Sequence, residues 1–156
     1  MRNKRQKGFS LIELLIVVAI ILIIAAIAIP NLLRAKIAAN QASAVGSLRT
    51  LNTACIAYST SYGQFPAALT NLGPLASGGT ASSTSADLID SVLSAGTKSG
   101  YTFTYTAGSS NQSYTITATP ITAATTGQSM YFTDQSGVIR VDTTGSGAGA
   151  SSTPIG

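Results

Sequence analysis

From Leu14 to Ile29 the chain reads LLIVVAIILIIAAIAI without one polar side chain, and carrying the run back to Phe9 gives 21 residues broken only by Ser10 and Glu13. At about 1.5 Å of rise per residue a helix of that length measures roughly 31 Å, close to the hydrocarbon thickness of a bilayer. A transmembrane helix is the expectation. Arg2, Lys4, Arg5 and Lys7 precede it, and by the positive-inside rule they belong in the cytoplasm, with Arg34 and Lys36 on the far side reducing the asymmetry. A cleaved secretory signal is the rival, because residues 26–28 read Ala-Ile-Ala, the small-x-small pattern of a signal peptidase site. Its apolar region would be at or beyond the usual upper length, and it would carry an ionisable residue, Glu13.

A carboxylate at the centre of a bilayer costs about 2.5–3.5 kcal/mol on insertion scales, so one kept in an apolar run has a partner or a task, or lies at the interface and is tolerated. Composition alone leaves both readings of Glu13 open.

The remaining composition narrows the function classes. With no histidine and one cysteine, the chain cannot build its own Cys/His zinc site, a Ser-His-Asp triad, a Cys-His pair or an intramolecular disulfide. The net charge of +4 comes from the first seven residues; beyond Gly8 the chain carries five charges of each sign. A nucleic-acid partner is therefore not expected. Asp87, Asp90, Asp134 and Asp142 are the acids of the carboxyl portion, and turn or capping roles account for Asp134 and Asp87 without catalysis. No enzyme activity and no cofactor are expected. The 156 residues suffice for one modest domain plus an appended segment.

Past Pro30 the helical pattern continues. Ile37, Gln41, Ala44, Leu48, Leu51, Cys55, Tyr58 and Tyr62 follow one another at spacings of three and four, a single stripe on a helix face, with Arg34, Lys36, Asn40, Ser43, Ser47 and Thr50 on the other sides. Proline removes a donor and crowds the carbonyl four residues back, so Pro30 reads as a kink rather than a break. Gly63 and then Phe65-Pro66 end the pattern. The helix thus has a transmembrane half over 9–30 and an amphipathic half over 31–63, which should lie against a folded domain.

Residues 64–99 read as a variable loop with short helical signals. One falls at Pro66–Leu72, and another at Thr84-x-x-Asp87 followed by Leu88, Ile89, Val92, Leu93 and Gly96, a capped helix pattern. Between them residues 77–85 (SGGTASSTS) form a Ser/Thr-rich exposed loop, with O-glycosylation as the sharper alternative. From Gly100 the period changes to two. Tyr101–Tyr105, Tyr114–Ala118, Met130–Phe132 and Val138–Val141 predict about four antiparallel strands over 100–142, whose apolar face the 37–62 stripe would cover. The tail, 143–156, has no periodicity and is expected to be mobile. The fold class is α+β.

The string KGFSLIELLIVVAIILIIAAIAIPNL at residues 7–32 resembles the class III signal segment of type IV pilins and of the pseudopilins of type II secretion. Several independent elements agree: a short basic leader ending in Gly8, Phe9 after the bond, Glu13 five positions into the processed chain, the apolar run, and Pro30 near its end. The resemblance implies a pilin-like fold and removal of residues 1–8 by cleavage of Gly8–Phe9. It also implies N-methylation of Phe9 and an assembly salt bridge from Glu13 to the terminal amine of a neighbouring subunit. In that reading a carboxylate and an ammonium buried together offset their desolvation only when paired.

The implied partners are further copies in a helical filament, a prepilin peptidase/methyltransferase, an inner-membrane assembly platform with its ATPases, and the membrane. The implied location is the bacterial inner membrane with a cytoplasmic N-terminus, then an extracellular pilus serving adhesion or motility. Tyr62–Pro66 and Tyr131–Arg140 resemble segments common in bacterial pilins. The chain departs from many pilins in lacking a C-terminal cysteine pair, and from the major pseudopilin in having no tryptophan, which favours a pilus subunit. A pseudopilin or minor pilin of a secretion or DNA-uptake system is the alternative.

Overall fold

Helix α1 runs from Leu11 to Tyr62, 52 residues that carry both the apolar run and the amphipathic stripe, with Pro30 inside it. The structure, a computed structural model, describes residues 8–75 and 79–155; leader residues 1–7 and loop residues 77–78, named above, lie outside the described residues. The chain divides into two units, residues 1–35 and 36–156.

In the first unit the described side chains stand exposed along the helix, only Ala25 being partly covered. In the second, α1 presents Ile37, Ala44, Leu48, Leu51, Cys55 and Tyr58 as buried residues, with Gln41 and Tyr62 partly buried. That is the expected stripe. Ser47, expected on another side, is buried, because it lies one turn before Leu51 and so shares its face. Gly63, at φ +73°, ends the helix in the left-handed conformation that glycine adopts without strain.

A 3₁₀ turn at Leu69–Leu72 follows, and then a single helical turn, α2, at Ser91–Ser94. The longer helix expected to open at Thr84-x-x-Asp87 does not form. Asp87 takes a positive φ of 55°, and the N–H groups of Ala86, Asp87, Leu88 and Ile89 donate to the carbonyls of Asn71, Gly73 and Leu72 rather than to a helix of their own. The cap is Asp90 instead, whose Oδ1 accepts from Leu93 N at 2.7 Å.

The sheet has six antiparallel strands in chain order, not four: β1 Thr97–Lys98, β2 Tyr101–Ala107, β3 Tyr114–Pro120, β4 Met130–Asp134, β5 Arg140–Asp142 and β6 Thr153–Pro154. The two additional strands are the edges, each two residues long and too short to show a period. β6 arises in the segment read as mobile tail; Val141 pairs with Thr153 and Arg140 with Pro154, and Arg140 Nη1 donates to Ser152 O at 3.1 Å. Proline is compatible with an edge position, where its missing donor leaves no neighbour unpaired. The long strands alternate as expected. Tyr101, Phe103, Tyr114, Ile116 and Ala118 are buried in one core with the α1 stripe, while Thr104 and Thr115 are exposed.

Polar side chains help to join α1 to this sheet and its connections. Asn52 Nδ2 donates to Thr133 Oγ1 (2.8 Å) and Gly137 O (3.3 Å), while Tyr114 OH donates to Asn52 Oδ1 (3.1 Å). Asn40 Nδ2 donates to Thr126 O at 2.8 Å, holding the β3–β4 connection. At Gly127 in that connection a Cβ would overlap the Tyr101 ring, so only glycine fits.

Candidate functional site

The residues singled out in the sequence fall into a compact group and one outlier. Gly8, Phe9 and Ser10 lie outside regular structure, just before α1. Gly8 has no atom near the position of a side chain, and Phe9 is 85% exposed. The Gly8–Phe9 bond therefore sits in exposed chain outside regular structure, open to a protease.

Ser10 begins the helix. Its carbonyl accepts from Leu14 N at 3.3 Å, and its N–H donates to Glu13 Oε2 at 2.9 Å. The second bond is one half of a capping box, Ser-x-x-Glu, in which the side chain at N3 reaches back to the N-cap amide. Reading Glu13 only as a charge in an apolar run overlooks this role, although the Ser10-x-x-Glu13 spacing shows it. The helix N-terminus also carries partial positive charge, which favours a carboxylate there. Removal of residues 1–8 would create an ammonium at Phe9, one residue before the amide that Glu13 already holds. Gly8 and Phe9 thus lie immediately before α1, and Glu13 lies in its first turn.

Pro30 is the outlier, 17 residues beyond Glu13 on the same helix. Beside it Ala28, Ile29, Asn31, Leu32 and Ala35 line a shallow, mostly apolar groove.

The acids of the second unit each have local work. Asp90 caps α2 and pairs with Lys98 Nζ at 2.9 Å, which together hold its carboxyl below the usual range. Asp142 accepts from Thr144 Oγ1, Thr144 N and Gly147 N, and these hydrogen bonds lower its pKa likewise. Asp134 organises the β4–β5 turn by accepting from Ser136 N at 2.9 Å. Cys55 is buried, and burial pushes its thiol up to about 12.

An exposed apolar helix long enough to cross a membrane, continuing into an α+β domain, is the class of architecture that the chain presents. Residues 3–29 match the prokaryotic N-terminal methylation motif. Over 52 residues the chain is 54% identical to the type IV major pilin protein PilA of Myxococcus xanthus, covering 33% of this chain and 24% of that protein. It is 66% identical over 41 residues to the type IV wide pilus major component PilA4 of Thermus thermophilus, covering 26% of this chain and 30% of that one. It is 35% identical over 66 residues to the type II secretion system core protein G of Aeromonas hydrophila, covering 42% and 46% respectively. Over these segments the chain is similar to type IV pilins and to a core protein of type II secretion. The matched segments span less than half the length of each of these relatives. No solved structure matches.

Proposed function

We propose that this chain is the major subunit of a type IV pilus. It is made as a precursor, held in the inner membrane by residues 9–30 with the leader in the cytoplasm, cut between Gly8 and Phe9, methylated at Phe9, and polymerised through its apolar helix into a filament used for adhesion or motility. The observation that carries this reading is the row of side chains from Leu11 to Leu33, all large hydrophobics among them exposed. Such a surface is stable only in lipid or against other helices, and a filament built of stacked helices supplies the second environment when the subunit leaves the first. Glu13 then pairs with the terminal ammonium of a neighbour, and Pro30 loosens the helix where it leaves the bilayer. The subunit works with a prepilin peptidase and an ATP-driven assembly platform. It carries no catalytic role of its own.

A pseudopilin reading has one specific support: the alignments to core protein G extend over more of this chain, 42% and 47%, than those to the pilins. Deleting the gene separates the two, since loss of surface filaments marks a pilin and loss of secretion with filaments intact marks a pseudopilin. The first test is mass spectrometry of the chain from its native membrane or filament fraction. A terminus at methylated Phe9 is expected. A terminus at Ile29 would mean secretory cleavage after Ala28, with Glu13 and the assembly helix discarded.

A further inference from the structure

In the folded unit one face of α1 is left uncovered, and a shallow groove runs along it, lined by Arg49, Thr50, Thr53, Ala54, Ala57 and Leu88. Ile56, beside Ala57 in the chain, is 53% exposed. Among the described residues no carboxylate lies within ion-pair distance of Arg49. The groove therefore joins a cation to an apolar floor.

The β4–β5 turn of the same unit has the opposite chemistry. Gln135, Ser136, Gly137 and Val138 are all exposed, Val138 at 37%. Asp134 spends Oδ1 on Ser136 and leaves Oδ2 without a donor among the described residues. The other acids of this unit are committed or misplaced: Asp90 is paired with Lys98, Asp142 has both oxygens engaged, and Asp87 adjoins Leu88 on the groove's own wall. Asp134 with Val138 is thus a carboxylate and an aliphatic group carried on a projecting turn.

Among the described residues Asp134 and Arg49 of one chain form no ion pair. Asn52 Nδ2 holds Gly137 O at 3.3 Å, fixing the turn on the Asn52 side of α1. At about 100° per residue, Thr53 and Ala57 lie roughly 100–140° around the helix from Asn52 and Arg49 roughly 60°, and the far wall is Leu88. Two unlike, complementary patches left unpaired within one subunit can meet head to tail between copies, a contact that propagates as a ring or an open helical filament rather than stopping at a dimer.

We propose that the Asp134–Val138 turn of one copy docks into the Arg49–Leu88 groove of the next, with Asp134 pairing to Arg49. This rests on the filament reading and adds to the helix bundle a contact between folded domains that sets which neighbour is accepted.

The test is charge exchange in cells carrying the complete assembly machinery. Arg49→Glu and Asp134→Lys should each lower sheared filament yield about tenfold at equal amounts of processed subunit, and the double variant should restore most of it. Asp134→Asn retains the oxygen that accepts from Ser136 and should still lower the yield. Single reversals with wild-type yield, or a double variant no better than the singles, would overturn the docking while leaving the filament reading intact. A wild-type chain that makes no filaments would overturn both. Should the charged variants not accumulate, Thr53→Cys with Ser136→Cys in a Cys55→Ala background should give a ladder of oxidised multimers from filaments. Monomer alone, or dimers from Thr53→Cys by itself, would overturn the proposal.

Discussion

Glu13 serves two structural purposes that can be separated by one substitution. In the single chain its Oε2 accepts from Ser10 N and caps α1; in a filament its charge would face an ammonium. Glutamine keeps an oxygen that can accept the Ser10 amide and loses the charge, whereas alanine loses both. Glu13→Gln and Glu13→Ala should insert into the membrane as well as the wild type or better, since each removes an intramembrane charge. Neither should appear in sheared filaments, and only the alanine variant should also fray the first turn, at a cost of about 1 kcal/mol. Immunoblots of membrane and sheared fractions decide this. Glutamine supporting normal filaments would assign Glu13 to capping alone.

Among the elements, the long ones are those a reader of the sequence can find. The stripe from Ile37 to Tyr62 repeats its period through seven turns, and Tyr101, Phe103 and Tyr105 alternate with threonine, so α1 and β2 declare themselves. Thr97–Lys98 and Thr153–Pro154 have two residues each and acquire strand geometry only from the neighbours they pair with. The helix expected from Thr84 is lost to hydrogen bonds with Asn71, Leu72 and Gly73, partners that no local pattern reveals. Asn52 belongs with these. It is a polar residue at the edge of the apolar stripe whose burial follows from Thr133, 81 positions away. The expectations at Gly8–Phe9 and Glu13 come from local spacing, while the Arg49 groove needs Leu88 and is not legible in the sequence. Asn52 is also where the joint between α1 and the sheet can be tested. Asn52→Ala leaves the Tyr114 hydroxyl and Thr133 Oγ1 short of a partner and should destabilise the domain by about 1–3 kcal/mol. Thermal unfolding of the detergent-solubilised chain should show a correspondingly lower midpoint.

On the scale of the whole domain, tyrosine hydroxyls tie distant segments together, and this gives the fold a particular weakness toward base. Tyr58 OH donates to Ser83 O, Tyr101 OH to Ser129 O, Tyr105 OH to Pro66 O, and Tyr114 OH to Asn52 Oδ1. Every one of these bonds uses the phenolic proton, so ionisation abolishes it. Burial raises all four pKa values, Tyr101 to about 12, and raises the Cys55 thiol to about 12 as well. In the unfolded chain the thiol would lose its proton near pH 8.5 and the phenols near 10. Between those values and the raised ones the folded state binds more protons than the unfolded state, so stability must fall as pH rises, by up to about 1.4 kcal/mol per pH unit for each group. The unfolding midpoint should be flat from neutrality to about pH 8.5 and then drop with increasing slope past pH 10. Because the chain has six tyrosines and no tryptophan, tyrosinate absorbance reports the same event directly. The part of the signal that comes from these four should appear together with loss of near-ultraviolet circular dichroism, since each hydroxyl must give up its clasp to ionise. A Cys55→Ala variant should lose the shallow fall between about pH 8.5 and 10 and retain the steep one. Gradual tyrosinate formation near pH 10 with the dichroism unchanged would show that the hydroxyls are accessible in the native domain and that the clasps do not hold it.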